Sequence, residues 1–451
     1  MSAFLLWGTF TPAASFAIAT AVWMALWWII RPVSIYVTAF VPIVVNAFFN
    51  LIPNSHVISQ YFSEIAVMLL GSDLICLTWT TTGLDKRVSV KALCFIGTSM
   101  KNQIFVWFLA STVLSIFLPN VVVAAIFCPI AVAMLRSVGE DDVTESRMAL
   151  PILLAIGWGS GIGGFGSPIG SSANLVAVSY IEKLTGHEFM YYDWVIRFLP
   201  LLAIVFLLNL IFLWLIPAPA KDLPGTRAYF REMYSKFGTM RRGEKIGLYL
   251  FILATALAFI RPLFASFLPA MKPAYVFLVI GMLMFFLHDE NGKTMLDWQY
   301  AESHAMWGMI FLFASGLALG RLVIETGAID RLAVIIVGFQ LPPGLMTMAI
   351  SCTFACSELS SNTAAASISI PVVTGITGVM GVNPIPYILG TIVAANCAYI
   401  LPVSTRAIPV GYGLNPSLQI KYGIRLSILT CATTIIICTL FMNYSPLFNE
   451  L

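Results

Sequence analysis

From Leu359 to Thr405 this chain carries no charged side chain, yet Pro, Gly, Ser and Asn interrupt the stretch repeatedly; residues 102–135, 148–181 and 332–357 behave alike. The absence of charge assigns such segments to lipid or to protein interior, because a surface facing water needs ionised groups. The interruptions exclude lipid for the breaks themselves. A broken helix frees N–H and C=O groups that hydrocarbon cannot satisfy, so it belongs where the chain turns back inside protein or lines a wet cavity. Re-entrant hairpins and broken membrane helices, held within a frame of unbroken ones, meet both demands.

The frame is visible as apolar runs at residues 11–30, 32–51, 63–83, 192–216, 246–266, 273–288, 305–323 and 423–445, each near the roughly 20 residues that cross a bilayer. Composition agrees: 59% of the 451 residues are hydrophobic and 10% charged, against about 25% charged in a typical soluble domain. A net charge of +3 is too small to draw nucleic acid. The eight cysteines lie in apolar runs without the paired spacing of a zinc or redox site, and read as small buried residues. His56, His187, His288 and His304 fall in or beside polar connections, which argues against a proton relay through the membrane. The first run, Thr11 to Ile30, is too long for a removable signal and lacks its basic start and cleavage site.

Lysine and arginine set the orientation. The connection 217–245 holds Lys221, Arg227, Arg231, Lys236, Arg241, Arg242 and Lys245 against three acids, and is expected in the cytoplasm; 52–62 has neither Lys nor Arg and is expected outside. The result is a multi-pass protein of the cell membrane with ten spans, two re-entrant hairpins and both termini outside. A repeat runs across that connection. Thr82-Gly83-Leu84-Asp85-Lys86-Arg87 is echoed by Thr326-Gly327-Ala328-Ile329-Asp330-Arg331; Leu118-Pro119-Asn120-Val121 follows the first, and Ser361-Asn362-Thr363 the second, at nearly equal distance. The predicted organisation is a first repeat over 1–216 with hairpin 102–135 and broken helix 148–181, the connector 217–245, and an inverted second repeat over 246–451 with hairpin 342–375 and broken helix 385–412. Inverted repeats with broken helices are the mark of alternating-access carriers.

An anion at mid-membrane needs donors. Ser360, Ser361, Asn362 and Thr363, at the start of a returning half-helix, offer hydroxyls, backbone N–H groups and a positive dipole end. The first tip keeps only Asn120 as a side-chain donor, between Pro119 and Val121. The run from Gly161 to Asn174 cannot stay helical, and its carbonyls and hydroxyls suit a cation; Leu401 to Pro409 is its counterpart. No nucleophile, metal cluster or acid pair stands in mid-span, so an enzyme is not expected. Asp73, midway along its helix, is expected to make a structural hydrogen bond or ion pair.

Ser361-Asn362-Thr363 preceded by Glu358, Leu401-Pro402-Val403-Ser404-Thr405, the turn at 82–87, and Trp27 to Val37 followed by Thr38-Ala39 together resemble the divalent-anion/sodium symporter family of the ion transporter superfamily, over about residues 15–440. The resemblance implies an all-α, homodimeric elevator carrier of dicarboxylates such as succinate, malate, fumarate or 2-oxoglutarate, with relatives that carry citrate or sulfate. Carried over by position, the substrate is met by Asn120, Ser361, Asn362, Thr363 and Thr405, to which Ser171, Ser172 and Arg406 are added as candidates. Degraded sodium sites fall at Ser115, Asn120 and Gly170, and at Ser357, Ser360, Asn362 and Ser404. No cofactor is expected beyond sodium as a coupling ion.

This chain departs from the pattern at Pro119-Asn120-Val121, at Ser171-Ser172-Ala173-Asn174 and at Thr405-Arg406-Ala407-Ile408. Arg406 is the only charge between Glu358 and Lys421 and therefore lies deep. A guanidinium there is expected to replace a sodium charge and pair with a substrate carboxylate, unless it pairs with Glu358. The resulting expectation is sodium-independent dicarboxylate exchange; the alternative is sodium-coupled symport of a dicarboxylate, citrate or sulfate.

Overall fold

Proline, and the residue before it, decide where the first hairpin turns. Leu118 is extended (φ −116°, ψ 150°), as a residue preceding proline prefers, and Pro119 cannot continue the helix behind it. The computed structural model describes residues 10–30, 32–140, 142–144, 146–218, 222–328 and 344–449. Lys221, residues 329–331 of the second repeat motif and residues 342–343 at the start of the second hairpin lie outside them.

The helices in chain order are α1 (Pro12–Ile30), α2 (Val41–Phe49), α3 (Glu64–Thr82), α4 (Leu84–Leu93), α5 (Met100–Phe117), α6 (Asn120–Ser137), α7 (Ala149–Gly163), α8 (Ser172–Thr185) and α9 (Tyr191–Trp214). The second half follows with α10 (Thr226–Ser235), α11 (Arg242–Phe259), α12 (Pro273–Leu283), α13 (Trp307–Glu325), α14 (Leu345–Leu359), α15 (Asn362–Met380), α16 (Ile385–Asn396) and α17 (Pro416–Tyr444). Among the described residues, eight helices are long and apolar enough to cross a membrane. Four of the eight lie on expected spans, in α3, α9, α13 and α17, and the others belong to the hairpins and broken helices; two of the remaining expected spans are interrupted. Residues 32–51 split into Ile35–Thr38 and α2. The run 273–288 ends its helix at Leu283, because the chain folds back and Met295 and Leu296 donate to the carbonyls of Leu287 and Met284.

The order of elements repeats. α3 and α13 both finish at a glycine in the left-handed region, Gly83 (φ +76°) and Gly327 (φ +70°), which only a residue without Cβ adopts cheaply. After each comes a hairpin, α5–α6 and α14–α15. A broken helix follows: α7 and α8 around Gly164–Ser171 in the first half, α16 and Ala407–Gly411 around Cys397–Arg406 in the second. α9 and α17 close the halves.

The hairpins and broken helices pack on one another, α5 on α7 and α14 on α16, and the halves interlock where α15 meets α8. Helices α1, α2 and α13 form a second, smaller apolar core. Against these inner elements α13 presents Gly316 and Gly320, one turn apart: a Cβ at the first would collide with the Ser367 side chain, and at the second with the Tyr180 hydroxyl. Outside the membrane the connector is tied down by Arg87, whose buried guanidinium pairs with Glu244 at 3.0 Å and donates to the carbonyls of Phe237, Gly238 and Thr239.

Candidate functional site

In each break of the membrane helices one buried side chain meets two freed backbone groups. In the first, the Asn174 amide donates to the carbonyls of Gly164 and Ser167, both at 2.7 Å. In the second, the Glu358 carboxylate accepts the N–H groups of Tyr399 (2.6 Å) and Ile400 (2.8 Å) and the Ser427 hydroxyl (2.7 Å). Backbone groups that lipid would leave unpaired thus find partners inside the protein.

The tips are built on capped helix starts. Ser361 is the N-cap of α15 and accepts the N–H of Ala364, while the N–H groups of Asn362 and Thr363, in the first turn, have no acceptor within the helix. Ser172, the first residue of α8, is hydrogen-bonded to Thr363 at 2.5 Å. The starts of two helices from opposite halves therefore face one another, and their dipoles add at one point, an arrangement that favours an anion. Thr405 is buried and its hydroxyl has no hydrogen-bond partner. Ser171 is buried at the N-cap of α8.

Asn120 starts α6 at the edge of this group. Its side-chain oxygen accepts the N–H of Val121 in its own turn, and α6 packs against the Ser404–Arg406 turn. Ser360 turns back to the carbonyl of Cys356 at 2.6 Å, so its hydroxyl proton is already committed. Ser404 lies at φ +57°, a conformation costly for a non-glycine residue, which re-aims the carbonyls of the second break.

The candidate cation ligands form two groups related by the repeat. Ser115 donates to the carbonyl of Ser160 at 2.7 Å, and Ser357 donates to the carbonyl of Ala395 at 2.6 Å; each stands five residues before its tip asparagine. Gly170 is closely backed by oxygen, since a Cβ there would lie 2.5 Å from the carbonyl of Gly164 and 2.7 Å from that of Ser115.

Arg406 takes the alternative that the sequence left open. Its guanidinium is directed at Glu358 (2.8 Å) and at the carbonyls of Ser357 (2.9 Å) and Val403 (3.2 Å), so its charge is met by a protein carboxylate. Burial explains this: two opposite charges in a low dielectric attract far more strongly than across water. Asp73 accepts the N–H of Met306 at 2.7 Å, which is the expected structural role.

Asn396 was not singled out in the sequence, yet it joins the halves: its amide donates to Asn174 at 3.0 Å and its oxygen accepts from Asn362 at 3.3 Å. The available signal was a lone amide at the end of the apolar run 385–396.

Residues 9–449 match the model of a family described as the sodium:sulfate symporter transmembrane region. The sodium-dependent dicarboxylate transporter SdcS of Staphylococcus saprophyticus is 27% identical over 415 residues, 88% of this chain and 80% of that protein. SdcS of Staphylococcus aureus is 26% identical over 421 residues, 88% and 79% of the two chains. The solved structure of the YdaH transporter of Alcanivorax borkumensis aligns with a TM-score of 0.57 over 88% of this chain and 89% of that one; at 12% identity this is a likeness of fold.

Proposed function

The chain belongs to the divalent-anion/sodium symporter family, a family of multi-pass membrane carriers, and from that premise we propose that it carries C4 or C5 dicarboxylates together with sodium ions. The observation that carries the coupling is the pairing of Arg406 with Glu358. A dianion entering between the tips finds hydroxyls, amides and helix starts but no uncompensated cation among the described residues between Glu358 and Lys421, so a mobile cation has to accompany it. The names of the relatives support the same side: both are sodium-dependent dicarboxylate transporters, which favours symport over the expected sodium-independent exchange.

In this reading Ser361, Asn362, Thr363 and Thr405 hold the substrate, with Ser171, Ser172 and Asn120 beside them. The two halves, 1–216 and 246–451, act through the connector 217–245. The hairpins and broken helices move as one body along α13, whose Gly316 and Gly320 leave no side chain in the way, and the carrier pairs as a homodimer through its frame.

The experiment is uptake of labelled succinate into proteoliposomes, with sodium or choline outside and with or without internal dicarboxylate. Uptake into empty vesicles that requires sodium is expected. Uptake that ignores sodium and requires internal dicarboxylate would overturn the reading. Unlabelled 2-oxoglutarate, citrate and sulfate as competitors report the substrate class.

A further inference from the structure

Both charges of the Glu358–Arg406 pair are found in the second half alone. Glu358 stands four residues before Asn362, and the residue four before Asn120 is Ile116; Arg406 stands four residues after Pro402, and the residue four after Pro168 is Ser172. At the repeat-related positions the first half is therefore neutral. The pair is net neutral, and of its two members Glu358 belongs to the family pattern while Arg406 is the departure from it.

What the pair does is mechanical. Through Arg406 it joins Ser357 O and Glu358 on the hairpin arm α14 to Val403 O in the break. Through Glu358 it gathers Tyr399 N and Ile400 N of the break and the Ser427 hydroxyl of α17. A monovalent cation lodged between a hairpin and a broken helix bridges the same kinds of group, carbonyl and hydroxyl oxygens from both elements. Here a side chain makes that bridge permanently. The two residues are 4% and 7% exposed, so water does not screen the guanidinium, and a second cation brought against the same carbonyls would be repelled.

The first half has the oxygens without the arginine. Carbonyls of Ser115 and Gly164 converge on Gly170, the Ser115 hydroxyl donates to the carbonyl of Ser160, and no cationic side chain among the described residues is hydrogen-bonded to them.

We propose that the Glu358–Arg406 clasp stands in for a coupling cation in the second half, leaving the Ser115–Gly164–Gly170 group of the first half as the place where sodium binds. The proposal deepens the sodium-coupled reading and rests on it.

The test measures sodium twice on the purified full chain: as the concentration that half-maximally raises the unfolding temperature, with choline as the balancing ion, and as the concentration that half-maximally activates succinate uptake. Wild type is expected to give non-cooperative curves in both, with a Hill coefficient near one. Ser115→Ala is expected to raise both midpoints about tenfold or more, and Ser115→Cys, which keeps the volume, replaces it if the alanine variant does not fold. Ser357→Ala, which loses the bond to Ala395, is expected to change the maximal rate and leave both sodium midpoints within about twofold. Cooperative sodium activation with a Hill coefficient of two or more, or a Ser357→Ala shift as large as that of Ser115→Ala, overturns the clasp and leaves the symporter reading intact. Sodium-independent uptake driven by internal dicarboxylate overturns both.

Discussion

Thr405 and Arg406 are neighbours with opposite prospects: a buried hydroxyl with no partner beside a guanidinium bonded to Glu358, Ser357 and Val403. A hydrogen bond to a charged group contributes about 1.5–3 kcal/mol, so Thr405→Val is expected to raise the KM for dicarboxylate about 10- to 100-fold without lowering the unfolding temperature; an unchanged KM would remove Thr405 from the site. Arg406→Met leaves Glu358 buried and unpaired, a loss of about 3–5 kcal/mol. It is expected to cut the yield of folded protein sharply, and the double variant Glu358→Gln with Arg406→Met to recover much of it. Thermal unfolding of the two variants beside wild type checks this. The depth of Arg406 was legible in the sequence, from its isolation in an uncharged stretch. The choice between substrate and Glu358 as its partner was not, because two residues 48 positions apart come into contact only once α14 lies against the second break.

At the scale of elements, the hairpins and breaks fell where Pro, Gly, Ser and Asn interrupt apolar runs, since those residues act locally on the backbone. α4 and α10, on the connecting segments, and the early end of α12 were not foreseen, since they depend on contacts with distant parts of the chain: α10 packs on α4, and the end of α12 is taken by residues 294–296. Asn396 escaped for the same reason; its value lies in reaching Asn174 and Asn362 at once. The α13 glycines make a prediction at this scale. Overpacking a tight contact costs about 1–3 kcal/mol, and in the proposed movement a methyl at Gly316 or Gly320 would sit on the path along which α15 and α8 slide. Gly316→Ala and Gly320→Ala are expected to lower the maximal uptake rate about tenfold or more while the succinate KM stays within twofold. A rise in KM with an unaltered rate would argue that α13 does not face a moving surface.

For the molecule as a whole, the neutral clasp sets a limit on concentrating power. A tenfold sodium gradient supplies about 1.4 kcal/mol per ion. A dianion escorted by a single sodium crosses with one net negative charge, and moving that charge inward against 100 mV, inside negative, costs about 2.3 kcal/mol. An inside-negative potential imposed on the proteoliposomes is therefore expected to slow uptake, where a carrier loading three sodium ions per dianion would be accelerated. With one sodium per dianion, as proposed, a chain that fills the second cation position with Arg406 and cancels it with Glu358 gives up the means to hoard its substrate, and in an energised cell its downhill direction is outward.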